Sequence, residues 1–128
     1  MKYKSVIGLT TLFFSIFFLF GCEGESVDNS DLLIGRWDIR EAKRNGQATE
    51  SLDQLYFEFF QDGNMKTNIL GADEDATYEL KDNTIRQRES QMPIDYTVET
   101  ISDTSLIMSA TINRFNFRFQ LGKTVEEE

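Results

Sequence analysis

From Leu32 onward, apolar and polar residues alternate with a period of two, and few patterns restrict a fold as tightly, because successive side chains of an extended chain point to opposite faces. The alternation is cleanest where Phe115, Phe117 and Phe119 are separated by Asn116 and Arg118. The same rhythm puts Trp37 and Ile39 between Arg36, Asp38 and Arg40 within Gly35 to Glu41. It sets Leu55, Phe57 and Phe59 around Tyr56 and Glu58, and carries on through Met65, Thr67 and Ile69. Tyr78 with Leu80, Ile85 ahead of the water-facing Arg86 and Arg88, Ile94 with Tyr96 and Val98, and Leu106 with Met108 and Ala110 complete eight short strands. Turn residues fall between them: Asn45-Gly46, Asp62-Gly63, Lys81-Asp82-Asn83 and Ser102-Asp103-Thr104, with Pro93 at a strand boundary because it lacks the amide donor. No segment after Leu32 reads as a long amphipathic helix, and Ala48 to Gln54 is expected to form one short helical turn.

Consecutive antiparallel strands with short connections make an up-and-down meander, and a long meander removes its exposed edges by closing on itself. An all-β barrel of about eight strands is therefore the expected architecture, with a two-sheet sandwich of the same strands as the alternative. With Trp37 facing inward, the interior collects Phe57, Phe59, Met65, Tyr78, Tyr96, Met108, Phe115 and Phe117 among others. These nine residues either line a pocket for a small apolar molecule or fill the barrel as its core.

The N-terminus is of another kind. Lys2 and Lys4 precede a largely apolar run from Val6 to Phe20, followed by Gly21 and the only cysteine, Cys22. The run is 15 residues long, short of the roughly 20 that a spanning helix needs. Basic tip, apolar stretch and small residue form the layout of a secretory signal. Gly21-Cys22 resembles the lipobox of bacterial lipoproteins, which implies cleavage before Cys22 and acylation of its thiol and amine. Two or three acyl chains hold a protein durably on a bilayer. The expected organisation is a signal over 1–21, an acidic flexible tether over 22–31, a domain over 32–123 and an acidic tail over 124–128. Localisation follows as the cell envelope, on the outer membrane at its periplasmic or surface side.

Composition excludes several functions. Loss of 1–21 leaves 107 residues with 11 basic and 22 acidic groups, one small domain whose charge repels nucleic acid. There is no histidine and no second cysteine, so histidine- or cysteine-based zinc sites, Ser-His-Asp triads and internal disulfides are unavailable. No catalytic residue, cofactor or metal is implied. Asp73-Glu74-Asp75 reads as a solvated acidic turn, since an EF-hand loop needs a glycine and a later glutamate in register.

Leu33-Ile34-Gly35-Arg36-Trp37 resembles the Gly-x-Trp signature of lipocalins. The text around Tyr56-Phe57-Glu58-Phe59, Asp62-Gly63-Asn64, Tyr78-Glu79-Leu80 and Asn83-Thr84-Ile85 is similar to short bacterial lipocalin-like lipoproteins. The resemblance spans about Leu32 to Leu121. It implies that Gly35 and Trp37 plug the closed end of the barrel and that Arg118 packs across the tryptophan. The function expected is a non-enzymatic, membrane-anchored protein holding a small hydrophobic ligand in its barrel. The alternative is an interaction or structural lipoprotein with a filled barrel whose loops meet another envelope protein.

Overall fold

The computed structural model describes residues 29–125. The expected signal segment, the expected lipid acceptor Cys22, most of the expected tether and residues 126–128 of the tail lie outside the described residues. A short helix α1 (Asn29–Leu33) leads into β1 (Gly35–Arg44), followed by β2 (Gln47–Thr49), β3 (Tyr56–Phe59), β4 (Asn64–Thr67), β5 (Glu74–Lys81), β6 (Thr84–Arg88), β7 (Ile94–Ile101), β8 (Ser105–Ile112) and β9 (Phe115–Lys123). All pairings are antiparallel. One edge of β1 carries β3 and then β2, and the other takes β9 from Trp37 opposite Lys123 to Arg44 opposite Phe117. That last pairing closes an eight-stranded ring, with β2 as an extra strip at its rim.

The eight expected strands are all present, and the turns at Asn45-Gly46 and Asp62-Gly63 have the backbone geometry that their residues favour. Asn45 and Gly46 sit at φ 52° and 84°, the doubly positive pair whose twist matches that of a two-residue hairpin. Gly63 is at φ 92°, and Asp62 Oδ1 accepts the Asn64 amide at 3.1 Å. β8 and β9 are joined by Asn113 and Arg114 at φ 53° and 75°, an unusual conformation for a residue with a long side chain.

Three local expectations need correction. Ala48 to Gln54 is not one helical turn: the Asn45-Gly46 hairpin sends the chain straight back along β1 as β2, and Ser51 to Gln54 then turns. The strand through Met65 stops at Thr67, before Ile69. Thr67 Oγ1 donates to the Tyr56 carbonyl at 2.8 Å and accepts the Ile69 amide at 3.1 Å, so a side chain takes over the bonding that a ladder would otherwise supply. Asn29 to Asp31, assigned to the tether, belong to α1. Leu33 is fully buried, and that burial docks the helix against the barrel.

The core is a stack of rings at the closed end. Phe57 meets Tyr96 edge-on at 5.3 Å between centroids and Phe119 at 6.0 Å, while Phe59 meets Tyr78 at 4.9 Å. Trp37, Met65, Ile85, Leu106 and Met108 fill the space between them with no exposed surface. Burial of each large side chain contributes about 1.5–3 kcal/mol, which a domain without disulfides needs. β7 pairs with β8 from Thr97 opposite Ser109 to Ile101 opposite Leu106.

Candidate functional site

The barrel has two unlike ends. At the start of β1 the indole Nε1 of Trp37 donates to the Leu33 carbonyl at 2.9 Å, which ties the plug to the last turn of α1. Lys123 Nζ lies 4.7 Å from the Trp37 ring centre and donates to the carbonyls of Leu32 (3.2 Å) and Ile34 (2.8 Å). A cation at a helix C-terminus satisfies carbonyls that the helix leaves open. Gly35 is held at φ 127°, and a Cβ there would lie 3.1 Å from Lys123 Cε, so the glycine of Gly-x-Trp leaves room for the lysine stem.

Arg118 does not cover the tryptophan. Its guanidinium donates to Glu99 Oε1 at 3.0 Å on the outer wall. The reason is parity: Phe117, Phe119 and Leu121 point inward, so Arg118 points out, and Lys123 is the cation that returns to the inner face opposite Trp37. Six of the nine expected lining residues, Trp37, Phe57, Phe59, Met65, Tyr96 and Met108, are fully or almost fully buried and pack in the core. Tyr78 is half-buried and donates its hydroxyl to the Phe60 carbonyl at 2.7 Å. Phe115 turns away from the interior: it is 43% exposed, beneath the Arg44 guanidinium at 5.4 Å.

Above the aromatic stack lies a polar step. Tyr96 Oη donates to Gln87 Oε1 at 2.6 Å, Gln87 Nε2 donates to Ser90 Oγ at 3.2 Å, and Ser90 Oγ donates to the Met92 carbonyl at 2.8 Å. Gln87 has no exposed surface. Burial, and secondarily the Glu74 carboxylate, push the Tyr96 hydroxyl far above the usual phenol range. Glu74 Oε1 accepts the Gln91 amide at 3.3 Å, while its Oε2 is buried without a hydrogen-bond partner.

At the other end an apolar pocket of about 270 Å³ opens between two loops and the β8–β9 hairpin, lined by Leu52, Ile69, Leu70, Ile112, Asn113, Phe115 and Phe117. Asn68 binds the loops together. Its Oδ1 accepts the Tyr56 amide at 3.1 Å and its Nδ2 donates to the Gln54 carbonyl at 2.9 Å, which holds Ile69 and Leu70 against Leu52. Of the nine expected residues only Phe115 and Phe117 reach this pocket. Leu52 and Leu70 were missed because loop residues carry no periodicity, although an isolated leucine in a polar turn is itself a signal. Gln87 was hidden between Arg86 and Arg88, where only its inward parity with Ile85 marks it.

No protein-family model and no curated protein matches the sequence. Among solved structures, a lipocalin-like protein from Bacteroides uniformis resembles this chain with a TM-score of 0.54, covering 73% of this chain and 99% of its own, at 17% identity. At that identity the likeness is one of fold. The chain is a closed, eight-stranded antiparallel barrel of lipocalin-like fold.

Proposed function

We propose that this protein binds a small hydrophobic molecule at the mouth of its barrel, without covalent chemistry, while a lipid on Cys22 holds it in the cell envelope. The observation that carries the binding half is the apolar mouth pocket of about 270 Å³ between Leu52, Leu70 and Phe117. That volume is just below the roughly 300–1,000 Å³ of sites for drug-sized ligands, and it suits a small molecule or one end of an elongated one. The filled aromatic base moves the site from the barrel axis to its rim. The anchoring half rests on the sequence of residues 2–22, and it implies an outer-membrane location on the periplasmic or surface side.

Titration of a soluble form beginning at Glu23 with the fluorescent probe N-phenyl-1-naphthylamine tests the first half. Saturable uptake near one probe per chain, lost in Phe117→Asp, is the expected result; unsaturable or unchanged uptake overturns it. For the second half, Cys22→Ser is expected to move the protein from the membrane fraction to the soluble one. A variant that still sediments with membranes overturns the anchor.

A further inference from the structure

Three arginines of the outer wall are matched with carboxylates: Arg36 with Asp38 at 3.2 Å, Arg88 with Asp95 at 2.9 Å and Arg118 with Glu99 at 3.0 Å. Arg44 and Arg114 are not. Among the described residues no carboxylate oxygen lies within 4.0 Å of either guanidinium, and both residues are exposed.

Strand register brings Arg44 to the lip of the mouth pocket. It stands opposite Phe117 across the β1–β9 ladder, and its guanidinium lies 5.4 Å from the centre of the Phe115 ring. Phe115 and Phe117 both line the pocket. Arg114 reaches the same lip through the turn, since it sits between the lining residues Asn113 and Phe115, at a φ of 75°. Contact with a ring engages the charge of a guanidinium and leaves its N–H donors unspent, and those donors match the paired oxygens of a carboxylate, sulfonate or phosphate. The acids beside the other lining residues, Asp53 next to Leu52 and Asp73 three positions after Leu70, belong to the two loops that face the hairpin. Asp73 is already hydrogen-bonded by the Tyr56 hydroxyl. An apolar interior therefore carries its unpaired cations on the hairpin side.

We propose that the mouth pocket takes an anionic amphiphile, with its apolar end between Leu52, Leu70 and Phe117 and its oxyanion at Arg44 and Arg114. This rests on the mouth-pocket reading and adds a head-group preference to it. The chain carries 22 acidic against 13 basic groups, which repels any anion at long range. The preference is thus local, acting within the Debye length of about 8 Å at physiological salt. Each exposed guanidinium supplies a modest factor, so the selectivity is several-fold.

Two probes that differ by one group test this. 8-Anilino-1-naphthalenesulfonate is N-phenyl-1-naphthylamine with a sulfonate added. The soluble form beginning at Glu23 keeps α1 and all nine strands, and a cooperative urea transition checks that each variant is folded. Arg114→Asn suits the backbone, because asparagine tolerates positive φ. Combined with Arg44→Gln, it is expected to weaken the sulfonate probe by about 5-fold more than the neutral one. Raising NaCl from about 0.05 M to about 1 M should do the same in the unaltered protein. Equal losses for both probes, or sulfonate binding that salt does not weaken, overturn the head-group assignment and leave the pocket standing. An equal selective loss from Lys66→Gln with Arg86→Gln, a matched charge removal on the outer wall, reduces the effect to net charge and overturns it too. Sedimentation of the soluble form with phosphatidylglycerol vesicles, lost in the Arg44 and Arg114 double variant, assigns the two cations to a bilayer surface and also overturns it. Failure of the neutral probe to bind removes the pocket itself, and the assignment with it.

Discussion

The ammonium of Lys123 sits over the Trp37 ring at 4.7 Å while donating to the carbonyls on either side of Leu33, so one side chain from the last strand fastens both the plug and the helix that precedes it. Replacing it by methionine keeps most of the apolar stem and removes the charge. A cation–π contact is worth about 0.5–2 kcal/mol and hydrogen bonds to a charged donor about 1.5–3 kcal/mol. Lys123→Met is therefore expected to cost about 2–3 kcal/mol, read as a lower urea midpoint by indole fluorescence. An unchanged midpoint would remove Lys123 from the closure of the barrel.

Arg118→Ala is expected to do far less. Its bond to Glu99 joins side chains that are 45% and 36% exposed, and such surface pairs contribute about 0.2–1 kcal/mol. Side-by-side denaturation of the two variants separates the roles: a loss for Arg118→Ala equal to that for Lys123→Met would contradict the assignment made from strand parity.

Gly35→Ala brings two penalties together, a φ of 127° that a side chain resists and a Cβ 3.1 Å from Lys123. Strain of this kind costs about 1–3 kcal/mol, and each kcal/mol lowers the melting temperature of a domain this size by about 4–8 °C. Calorimetry should show a fall of at least 4 °C.

Alkaline pH should destabilise the fold through its phenols. Tyr56, Tyr78 and Tyr96 are all raised from the ordinary value of 10.0, in each case first by burial and then by nearby acids, Asp73, Asp62 and Glu74 respectively. A group whose folded-state pKa is raised gives stability that is fully present below the unfolded value and is lost as pH climbs from there through the folded value. Stability should therefore hold up to about pH 10 and fall above it, with Tyr96 ionising only as the chain unfolds. Absorbance at 295 nm followed together with circular dichroism checks this. Tyr96→Phe should flatten the alkaline fall, while costing about 1–3 kcal/mol at neutral pH by leaving Gln87 Oε1 unpaired in the interior. A smooth ionisation of Tyr96 in folded protein would refute it.

The wall of the barrel was legible in the chain because alternation and turn chemistry are local. Trp37, Phe57 and Phe119 face inward as their spacing says, and Asn45-Gly46 turns as the dipeptide prefers. What stayed hidden depends on contacts between distant segments. Arg118 and Lys123 are both cations near the end of the same strand; the inward parity of Phe117 and Phe119 already turns Arg118 outward, but only the register with β1 places Lys123 opposite Trp37. The mouth pocket draws Leu52 and Leu70 from loops whose positions are fixed by Asn68, a residue with no periodic signature. Phe115 continues the pattern of Phe117 and Phe119 but lies beside the Asn113–Arg114 turn, where the strand has run past the interior that its parity would otherwise fill.

The placement of α1 gives the molecule a direction. The polypeptide reaches the barrel through its plugged base, where Leu33 and Trp37 are joined, and the opening framed by Leu52, Leu70 and Phe117 lies at the opposite pole. Any attachment made ahead of Asn29 thus pulls on the sealed floor, the pole opposite the aperture.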